Sequence, residues 1–542
     1  MNDAGEYVLI LGAGLMQRPS IEAAKELGYR TLVVDANPDA VCVPFADRFE
    51  PIDLKDREAL ADFALSLKNE IAAVFTAGTD FSASVSYVAE KLGLPAHSFE
   101  AAMNASDKTR MRSCFKTCAV PSPAFSKVRR SDIASWLEPG MLDSMTFPKV
   151  VKPVDNMGAR GCRLIRNASE FLLAMEEAVR YSRSGTAILE DYMKGPEFSI
   201  DALVFDGTLT ITGFADRHIF YEPYFIEMGH TMPTSISDRQ RYELIAAFAR
   251  GISALGLTCG AAKADIKYTE QGPMIGEIAA RLSGGYMSGW TYPYASDLNL
   301  TKEALLIALG KRPESLVSRR KRVAIPADVG NLPFEVYDVP CEKTSAERAW
   351  ISIPGRIREV TRLSTAETVP FVKNVLPRVK TGDKVDFPRN NVEKCGNIIA
   401  VSNDYNLAVR AAECAVSSII LRLEPHNDMT ESFLSRVERK GEERFPPDAF
   451  QLDETKRSVY DSFVKRIPMI EKNVSVLRLL DAEMRNFAEN IRDINYRSLK
   501  DTLALFDSLC PLHDEFEGVV FFDVLLRGGL QGLLYLNDCK SM

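Results

Sequence analysis

The sequence lacks the features that would indicate a zinc-cluster protein, a nucleic-acid binder or a membrane protein. Its 10 cysteines form no Cys-x-x-Cys pair, and only Cys114 and Cys118 are near neighbours, which predicts neither structural zinc nor a disulfide framework. A formal net charge of −8 without a basic block predicts no nucleic-acid partner. The apolar stretch 519–536 contains Asp523 and Arg527 and predicts no membrane span. We therefore expect a cytoplasmic protein with reduced thiols.

The first hundred residues alternate short apolar runs with helical patterns. The runs 8–11, 31–34 and 72–75 predict parallel strands, and residues 20–27 and 56–67 predict helices between them. This order is typical of a small doubly wound parallel α/β domain. The pair Gly12-x-Gly14 is compatible with a dinucleotide site, but Gln17 stands at the third glycine position. An NAD(P)-dependent dehydrogenase therefore remains one alternative.

Two acidic residues, Asp265 and Glu277, lie twelve positions apart across Gly272-Pro273. If the segment is a strand, a Gly-Pro turn and a second strand, both carboxylates lie on one face. Two convergent carboxylates suit Mg²⁺, which prefers oxygen ligands and shares them with substrate phosphates. Arg281 follows, and its guanidinium can hold a carboxylate or a phosphate at two points. The segment therefore indicates phosphoryl chemistry on a substrate that carries a carboxylate.

Residues 265–285 closely resemble the last catalytic segment of the ATP-grasp enzymes. Four segments upstream of it also resemble that family and occur in the family's order. They are Asp107-Lys108, Val150-Val151-Lys152-Pro153, Asn156-Met157-Gly158-Ala159-Arg160-Gly161, and Glu190-Asp191-Tyr192-Met193 with Gly195-Pro196-Glu197. The resemblance implies a multidomain ATP-grasp architecture of the α/β class. Enzymes of this family use ATP and Mg²⁺ to convert a carboxylate into an acyl phosphate, which a nucleophile then attacks.

The length and the resemblance together predict four regions. They are an N-terminal α/β domain (1–105), an ATP-grasp domain (106–310) with a lid subdomain at about 123–190, a small β-rich ligase domain (311–423), and a helical extension (424–542). In the extension, a 3-4 spacing predicts one helix with a buried stripe, formed by Leu477, Leu480, Met484, Phe487, Ile491 and Ile494. Packing on the same chain and docking of a partner, including a homodimer, both remain open.

The resemblance also implies which residues bind the nucleotide and the metal. It assigns the phosphates to Lys108, Lys152 and the loop containing Gly158, Arg160 and Gly161. It assigns the adenosine to Glu190, Tyr192, Met193 and Glu197. Asp265 and Glu277 are the expected ligands of Mg²⁺, or alternatively of Mn²⁺. Many relatives have asparagine as a further metal ligand where this chain has Ala279, so the number of metal ions stays open.

Three further residues are candidates for binding the reacting substrates. Arg281 is expected to hold the carboxylate that becomes phosphorylated and to stabilise its oxyanion. Glu227 and His230 belong to a segment that resembles the L-amino acid ligase branch of the family, where these positions lie beside the amino-acid substrates. The unperturbed pKa of histidine is near neutrality, so His230 is suited to orient a substrate or to accept a proton from the attacking amine.

The sequence is therefore interpreted as an ATP-dependent carboxylate–amine ligase that acts on small, amino-acid-like substrates and releases ADP and phosphate. One alternative is an ATP-grasp carboxylase that uses bicarbonate. Another is a nucleotide-binding scaffold that has lost catalysis and engages a partner through residues 424–542.

Overall fold

The computed structural model describes residues 6–436 and 445–541, so residues 437–444 of the predicted extension lie outside the described residues. The chain forms two compact units. The first unit holds residues up to 219, 230–345 and 403–405, and the second holds residues 220–229, 346–402 and 406 onward.

The first unit begins with a doubly wound α/β domain, as the sequence predicts. Four parallel strands in the order β3-β2-β1-β4 form its sheet: β1 (Tyr7–Leu11), β2 (Arg30–Val34), β3 (Arg48–Glu50) and β4 (Ile71–Phe75). The helices of this region are α1 (Arg18–Glu26), α2 (Arg57–Ser66), α3 (Ser82–Leu92), α4 (Phe99–Ser106) and α5 (Lys108–Thr117). Asp107 caps α5 by accepting hydrogen bonds from the N–H groups of Thr109 and Arg110, which fixes Lys108 at the first helical position.

A four-stranded antiparallel sheet with its own apolar core occupies the region where the sequence predicts a lid. Its strands, in the order β5-β8-β6-β7, are β5 (Phe125–Arg129), β6 (Lys149–Pro153), β7 (Arg163–Ile165) and β8 (Thr186–Asp191). Two helices, α6 (Ile133–Trp136) and α7 (Phe171–Tyr181), belong to the same region. Lys152 and Glu190 lie on the adjacent strands β6 and β8. Movement of this region remains a prediction.

The candidate site lies on a larger antiparallel sheet of the first unit, with the strand order β13-β12-β9-β10. The elements that follow β8 are β9 (Glu197–Phe205), β10 (Thr208–Phe220), β11 (Ile226–Met232), α8 (Asp238–Leu255), β12 (Gly260–Thr269), β13 (Gly272–Ala279), α9 (Tyr292–Ser296), α10 (Leu300–Ala308), α11 (Glu314–Arg319), β14 (Lys321–Arg322) and β15 (Glu335–Asp338). The apolar residues of α5, α8 and the sheet form one buried cluster, so one sheet face is packed and the other can carry polar groups.

The second unit combines short sheets with the helices of the C-terminal segment. Its elements are β16 (Thr344–Trp350), β17 (Gly355–Thr361), α12 (Leu363–Glu367), β18 (Val372–Pro377), β19 (Lys384–Val385), β20 (Gly396–Ser402), α13 (Tyr405–Ser418), β21 (Ile420–Leu423), α14 (Asp428–Leu434), α15 (Glu454–Val464), β22 (Met469–Ile470), α16 (Ala482–Asn490), α17 (Leu499–Leu509), β23 (Phe516–Glu517) and α18 (Gly518–Ser541). Strands β16, β20 and β18 pair in that order, as do β19, β17 and β21.

The predicted single helix through the apolar stripe is wrong. Residues Val476–Leu479 form a 3₁₀ turn, and Asp481 starts a new helix by accepting a hydrogen bond from the N–H of Met484. That helix ends at Asn490, because Ile491 has an extended backbone. The burial pattern is nevertheless confirmed, since Leu480, Met484, Ile491 and Ile494 are buried in the core of the second unit.

Helix α18, which is kinked at Gly529 where the backbone is not helical, lies in the core of the second unit. Within the described residues, Gly518–Lys540 is long and apolar enough to cross a membrane by length and composition, and 72% of its most apolar window is buried inside the protein. Its residues Phe522, Leu525 and Leu533 join the same apolar cluster as Trp350 and Ile398 of the sheet. The C-terminal segment therefore packs on its own chain.

Two side-chain amides of the C-terminal segment form hydrogen bonds with the residues directly after β16. The amide of Asn495 accepts from the N–H of Ile351 and donates to its C=O, both at 2.9 Å. The amide of Gln531 accepts from the N–H of Ile353 at 3.3 Å and donates to the hydroxyl of Ser352 at 2.9 Å. These contacts take the place of strand pairing at this position.

We predict that Asn495→Ala lowers the free energy of unfolding by about 2 kcal/mol, because both polar groups of the Ile351 main chain lose their partner. Urea unfolding of the full chain measures this loss. The matched control is Asn490→Ala, since the exposed Asn490 donates to the C=O and the side-chain oxygen of Asn486 within its own helix. Equal losses in the two variants would contradict the interpretation.

Candidate active site

The structure places the two predicted metal ligands opposite each other. Strands β12 and β13 form an antiparallel hairpin, in which Asp265 pairs with Glu277, so both carboxylates lie on one face. The expected Gly-Pro turn is wrong in position. The loop consists of Glu270 and Gln271, and Gly272 already pairs with Thr269.

A β-bulge sets this register. From the loop to Ile266, which pairs with Ile275, the ladder is regular. Continuation of that register would place Gly276 opposite Asp265 and would turn Glu277 to the other face, because side chains alternate along a strand. The register instead shifts by one residue between Ile266 and Asp265. Gly276 is the extra residue, and Glu277 comes to face Asp265.

The hairpin continues a polar face across four strands. Residue alternation and the pairing of β10, β9, β12 and β13 bring a set of polar, mostly charged side chains onto one face of the sheet. This set is formed by Glu197, Ser199, Asp201, Arg217, Lys263, Asp265, Lys267 and Glu277. Ala279 lies opposite Lys263 on this face.

Cations from three elements surround the two carboxylates. The Nζ atom of Lys108 lies 3.3 Å from Glu277 Oε2, and the Nζ atom of Lys263 lies 2.5 Å from Asp265 Oδ2. Arg217 Nη1 lies 2.7 Å from Asp265 Oδ1. Burial works against ionisation of Glu277, but the nearby positive charges, above all Lys108, hold the pKa of its carboxyl below the ordinary value. The site is therefore built for negative charge.

Lys152 and Glu190 form a second charged cluster. The Nζ atom of Lys152 lies 2.6 Å from Glu190 Oε2, and Arg112 Nε lies 2.7 Å from Glu190 Oε1. Burial opposes ionisation of Glu190, yet Arg112 and Lys152 lower its pKa to about 2. Burial also disfavours the charged form of Lys152, and the charge of Glu190 outweighs it and raises the pKa of the ammonium. Both groups are charged at neutral pH.

The glycine-containing segment forms a turn between β6 and β7. Gly158, Ala159 and Gly161 all have positive φ angles, between 60° and 69°, which glycine adopts readily. Arg160 Nε donates to the C=O of Met157. Lys108 Nζ donates to the C=O of Asn156 at 2.9 Å, so the loop is tied to the lysine that also contacts Glu277.

The predicted adenosine residues lie at the junction of the lid sheet and the polar face. The N–H of Tyr192 donates to the C=O of Pro148, and the C=O of Met193 accepts from Lys267 Nζ at 3.2 Å. Glu197 lies 2.5 Å from Arg217 Nη1 and 3.4 Å from Lys267 Nζ. The structure thus connects this segment to the strand that carries Asp265.

The three predicted substrate residues are buried and lie in different units. Arg281 belongs to the first unit and donates to the C=O of Leu282 at 3.0 Å. His230 is buried in β11, within the first unit. Glu227 belongs to the second unit, where its N–H donates to Asn391 Oδ1 and its C=O accepts from Lys394 Nζ, both at 2.8 Å.

Four residues of the site were missed by the sequence analysis: Arg112, Asp201, Lys263 and Lys267. Alternation around Asp265 would have indicated Lys263 and Lys267, because residues two apart on a strand share a face. Asp201 accepts hydrogen bonds from the N–H and the hydroxyl of Ser283 at 3.0 and 2.7 Å. Burial raises the pKa of Asp201 to about 6.

The comparisons with known proteins agree with this geometry. Residues 145–289 match the ATP-grasp domain family, and residues 349–424 match the family described as L-amino acid ligase C-terminal domain 2. The chain therefore contains an ATP-grasp domain and an L-amino acid ligase C-terminal domain 2. The predicted family and fold class are thereby confirmed.

Similar curated proteins include some with and some without a described activity. An uncharacterized protein of Sinorhizobium fredii (y4rH) is 23% identical over 432 residues, which cover 78% of this chain and 84% of that protein. Carnosine synthase 1 of Gallus gallus is 26% identical over 336 residues, or 57% of this chain and 36% of the relative. The match to the human carnosine synthase 1 covers 40% of it, so the chain spans less than half the length of these synthases.

The solved structures share the fold. The L-amino acid ligase from Bacillus licheniformis superimposes with a TM-score of 0.64 at 20% identity, covering 77% of this chain and 99% of the other. Phosphoribosylglycinamide synthetase from Anaerococcus prevotii gives 0.57 at 19%, covering 77% and 100%. Biotin carboxylase from Campylobacter jejuni gives 0.55 at 17%, covering 77% and 92%.

We predict that Asp201→Asn makes the protein relatively more stable at neutral pH than at acidic pH. The folded pKa of Asp201, about 6, lies above the ordinary value of 3.8. The protonated carboxyl therefore stabilises the fold below the unfolded pKa, and this contribution is lost as pH rises through about 6. The wild type minus variant difference in unfolding free energy should fall by about 2 kcal/mol between about pH 4 and about pH 7.5.

The control for this prediction is Asp206→Asn, in the turn that follows β9. Urea unfolding across the pH series should show no comparable change for that variant. A pH-independent difference between the wild type and Asp201→Asn would show that Asp201 is ionised throughout this range.

Proposed function

We propose that the protein joins a carboxylate to an amine at the expense of ATP, through an acyl phosphate, and that its substrates are amino-acid-like. A carboxylate oxygen of the first substrate attacks the γ-phosphorus of ATP, and ADP leaves. The amine of the second substrate attacks the acyl carbon, phosphate leaves, and the amine proton passes to a base. The observation that carries the proposal is the pairing of Asp265 with Glu277 beside Lys108.

Asp265 and Glu277 would hold Mg²⁺. Two carboxylates on one face, at the edge of a cation-rich site, provide the oxygen ligands that this ion prefers. Bound Mg²⁺ supplies charge neutralisation at the phosphates during transfer. Lys108 and Lys152 would then contact the phosphate oxygens, and the turn at Gly158, Arg160 and Gly161 would present N–H groups to them.

The remaining nucleotide contacts would come from Glu190, Tyr192, Met193 and Glu197. They lie at one end of the lid sheet and at the start of β9. Arg281 would hold the reacting carboxylate, and Glu227 and His230 would orient the amine. The support for these three roles is the match of residues 349–424 to an L-amino acid ligase domain, together with the likeness to carnosine synthase.

The second candidate function is a carboxylase that uses bicarbonate. Fold neighbours that include biotin carboxylase favour it, whereas the match of residues 349–424 to the L-amino acid ligase domain favours the amine ligase. Phosphate release from Mg·ATP, measured with single and paired amino acids and separately with bicarbonate, distinguishes the two. Release that requires an amino-acid pair supports the ligase, and release with bicarbonate alone overturns it.

We predict that Glu277→Gln reduces Mg²⁺-dependent ADP formation by more than about a hundredfold, because the isosteric amide lacks the charge that holds the ion. Coupled measurement of ADP on the purified variant tests this. Glu270→Gln is the matched control, since Glu270 is exposed in the loop of the same hairpin. Normal turnover by Glu277→Gln would remove Glu277 from the metal site.

A further inference from the structure

Arg112 is a fully buried arginine that the proposed chemistry does not use. It lies on α5, one helical turn after Lys108, and its side chain has 0% exposure. Its guanidinium contacts two separate elements: Nε lies 2.7 Å from Glu190 Oε1, and Nη2 donates to the C=O of Gly276 at 2.6 Å. One side chain thus joins the end of β8 to the hairpin of the carboxylate pair.

Through Gly276, Arg112 contacts the residue that sets the register of Asp265 and Glu277. Gly276 is the extra residue of the bulge, and a bulged residue is left out of the ladder. The ladder therefore leaves its partly buried C=O for another donor, and Arg112 supplies one. A Cβ atom at position 276 would lie 3.0 Å from the C=O oxygen of Asp265. The bulge is close-packed, and the guanidinium stabilises its carbonyl.

Through Glu190, Arg112 is connected to Lys152, which belongs to the predicted nucleotide-binding residues. Glu190 lies between Arg112 and Lys152, with both cations within 2.7 Å of its oxygens. Because Arg112 neutralises this buried carboxylate, Lys152 is not required to do so alone. Lys152 then remains able to turn toward a phosphate. Without Arg112, the Lys152 ammonium would be left as the single cation among the described residues that contacts Glu190.

The geometry needs an arginine rather than a lysine. A guanidinium presents several N–H donors in a rigid planar fork, whereas an ammonium is a compact charge at the end of a flexible chain. Only the fork can contact Glu190 and the Gly276 carbonyl at the same time. Lys267 provides a second link between these elements, from β12 to the C=O of Met193 and to Glu197.

We propose that Arg112 is a positioning residue that couples the nucleotide end of the site to the metal-ligand pair, without touching either ligand. This inference rests on the proposed ATP and divalent-metal site. Through Glu190 it sets the availability of Lys152 for the nucleotide, and through Gly276 it sets the register of Asp265 and Glu277. Its two contacts are therefore separable by mutation.

The test compares Arg112→Met and Arg112→Lys in the full chain by two binding measurements. The first is the Kd of ADP in the presence of EDTA. The second is the Mn²⁺ concentration that half-saturates the protein in saturating ADP, measured from the electron paramagnetic resonance signal of free Mn²⁺. Arg112→Met should weaken both by about tenfold, as loss of an outer contact at a metal site does. Arg112→Lys should restore ADP affinity but keep the Mn²⁺ half-saturation about tenfold weaker.

Arg110→Met is the matched control, because Arg110 lies on the same helix and its guanidinium contacts Glu100 and Asn104, away from Glu190 and Gly276. It should leave both measurements unchanged. Wild-type Mn²⁺ affinity in Arg112→Lys would overturn the coupling, and the lysine variant keeps the test decisive if Arg112→Met folds poorly. Failure of the wild type itself to bind Mn²⁺ with ADP would instead contradict the proposed function.

Discussion

The site depends on one register shift in one hairpin. Asp265 and Glu277 lie on strands joined by two residues, and a regular two-residue hairpin pairs positions an odd number apart. Their spacing of twelve is even, so an extra residue is required to bring them face to face. Gly276 is that residue, and its carbonyl is held by Arg112. Without this bulge the second carboxylate would lie on the opposite, packed face of the sheet.

Once two carboxylates share a face, their mutual repulsion must be offset, and the fold does so with cations from separate elements. Lys108 comes from the start of α5, Arg217 from β10 and Lys263 from β12. Positively charged side chains therefore surround the pair. Binding of a divalent cation with a triphosphate would exchange one set of partners for another, because Lys108 could move from Glu277 to a phosphate while the metal replaces it. Such an exchange avoids an unpaired buried charge at any stage.

The sequence predicted those parts of the site that local chemistry encodes. A lysine before Pro153, a glycine-containing turn and a spaced acid pair are visible without the fold, and Lys152, Gly158 and Asp265 lie on the elements expected. Arg112 was not predictable, because its partners are 78 and 164 residues away and a lysine or arginine on a helix is ordinarily solvated. The bulge likewise involves a contact from another element, since Arg112 donates to the Gly276 carbonyl. In the apolar stripe between Leu477 and Ile494, the residue spacing predicted which side chains are buried. It did not predict that a new helix starts at Asp481.

The C-terminal segment shows why an extension without a recognised counterpart need not be an appendage. Trp350, Ile353 and Ile398 belong to or follow the strands of the second unit, and the apolar residues of α17 and α18 complete the cluster that buries them. The main chain directly after β16 is hydrogen-bonded by the side-chain amides of Asn495 and Gln531. Since buried peptide groups must be paired, this part of the sheet and the helices that cover it form one folding unit. The amides of Asn495 and Gln531 are therefore structural groups of the unit that also carries Glu227.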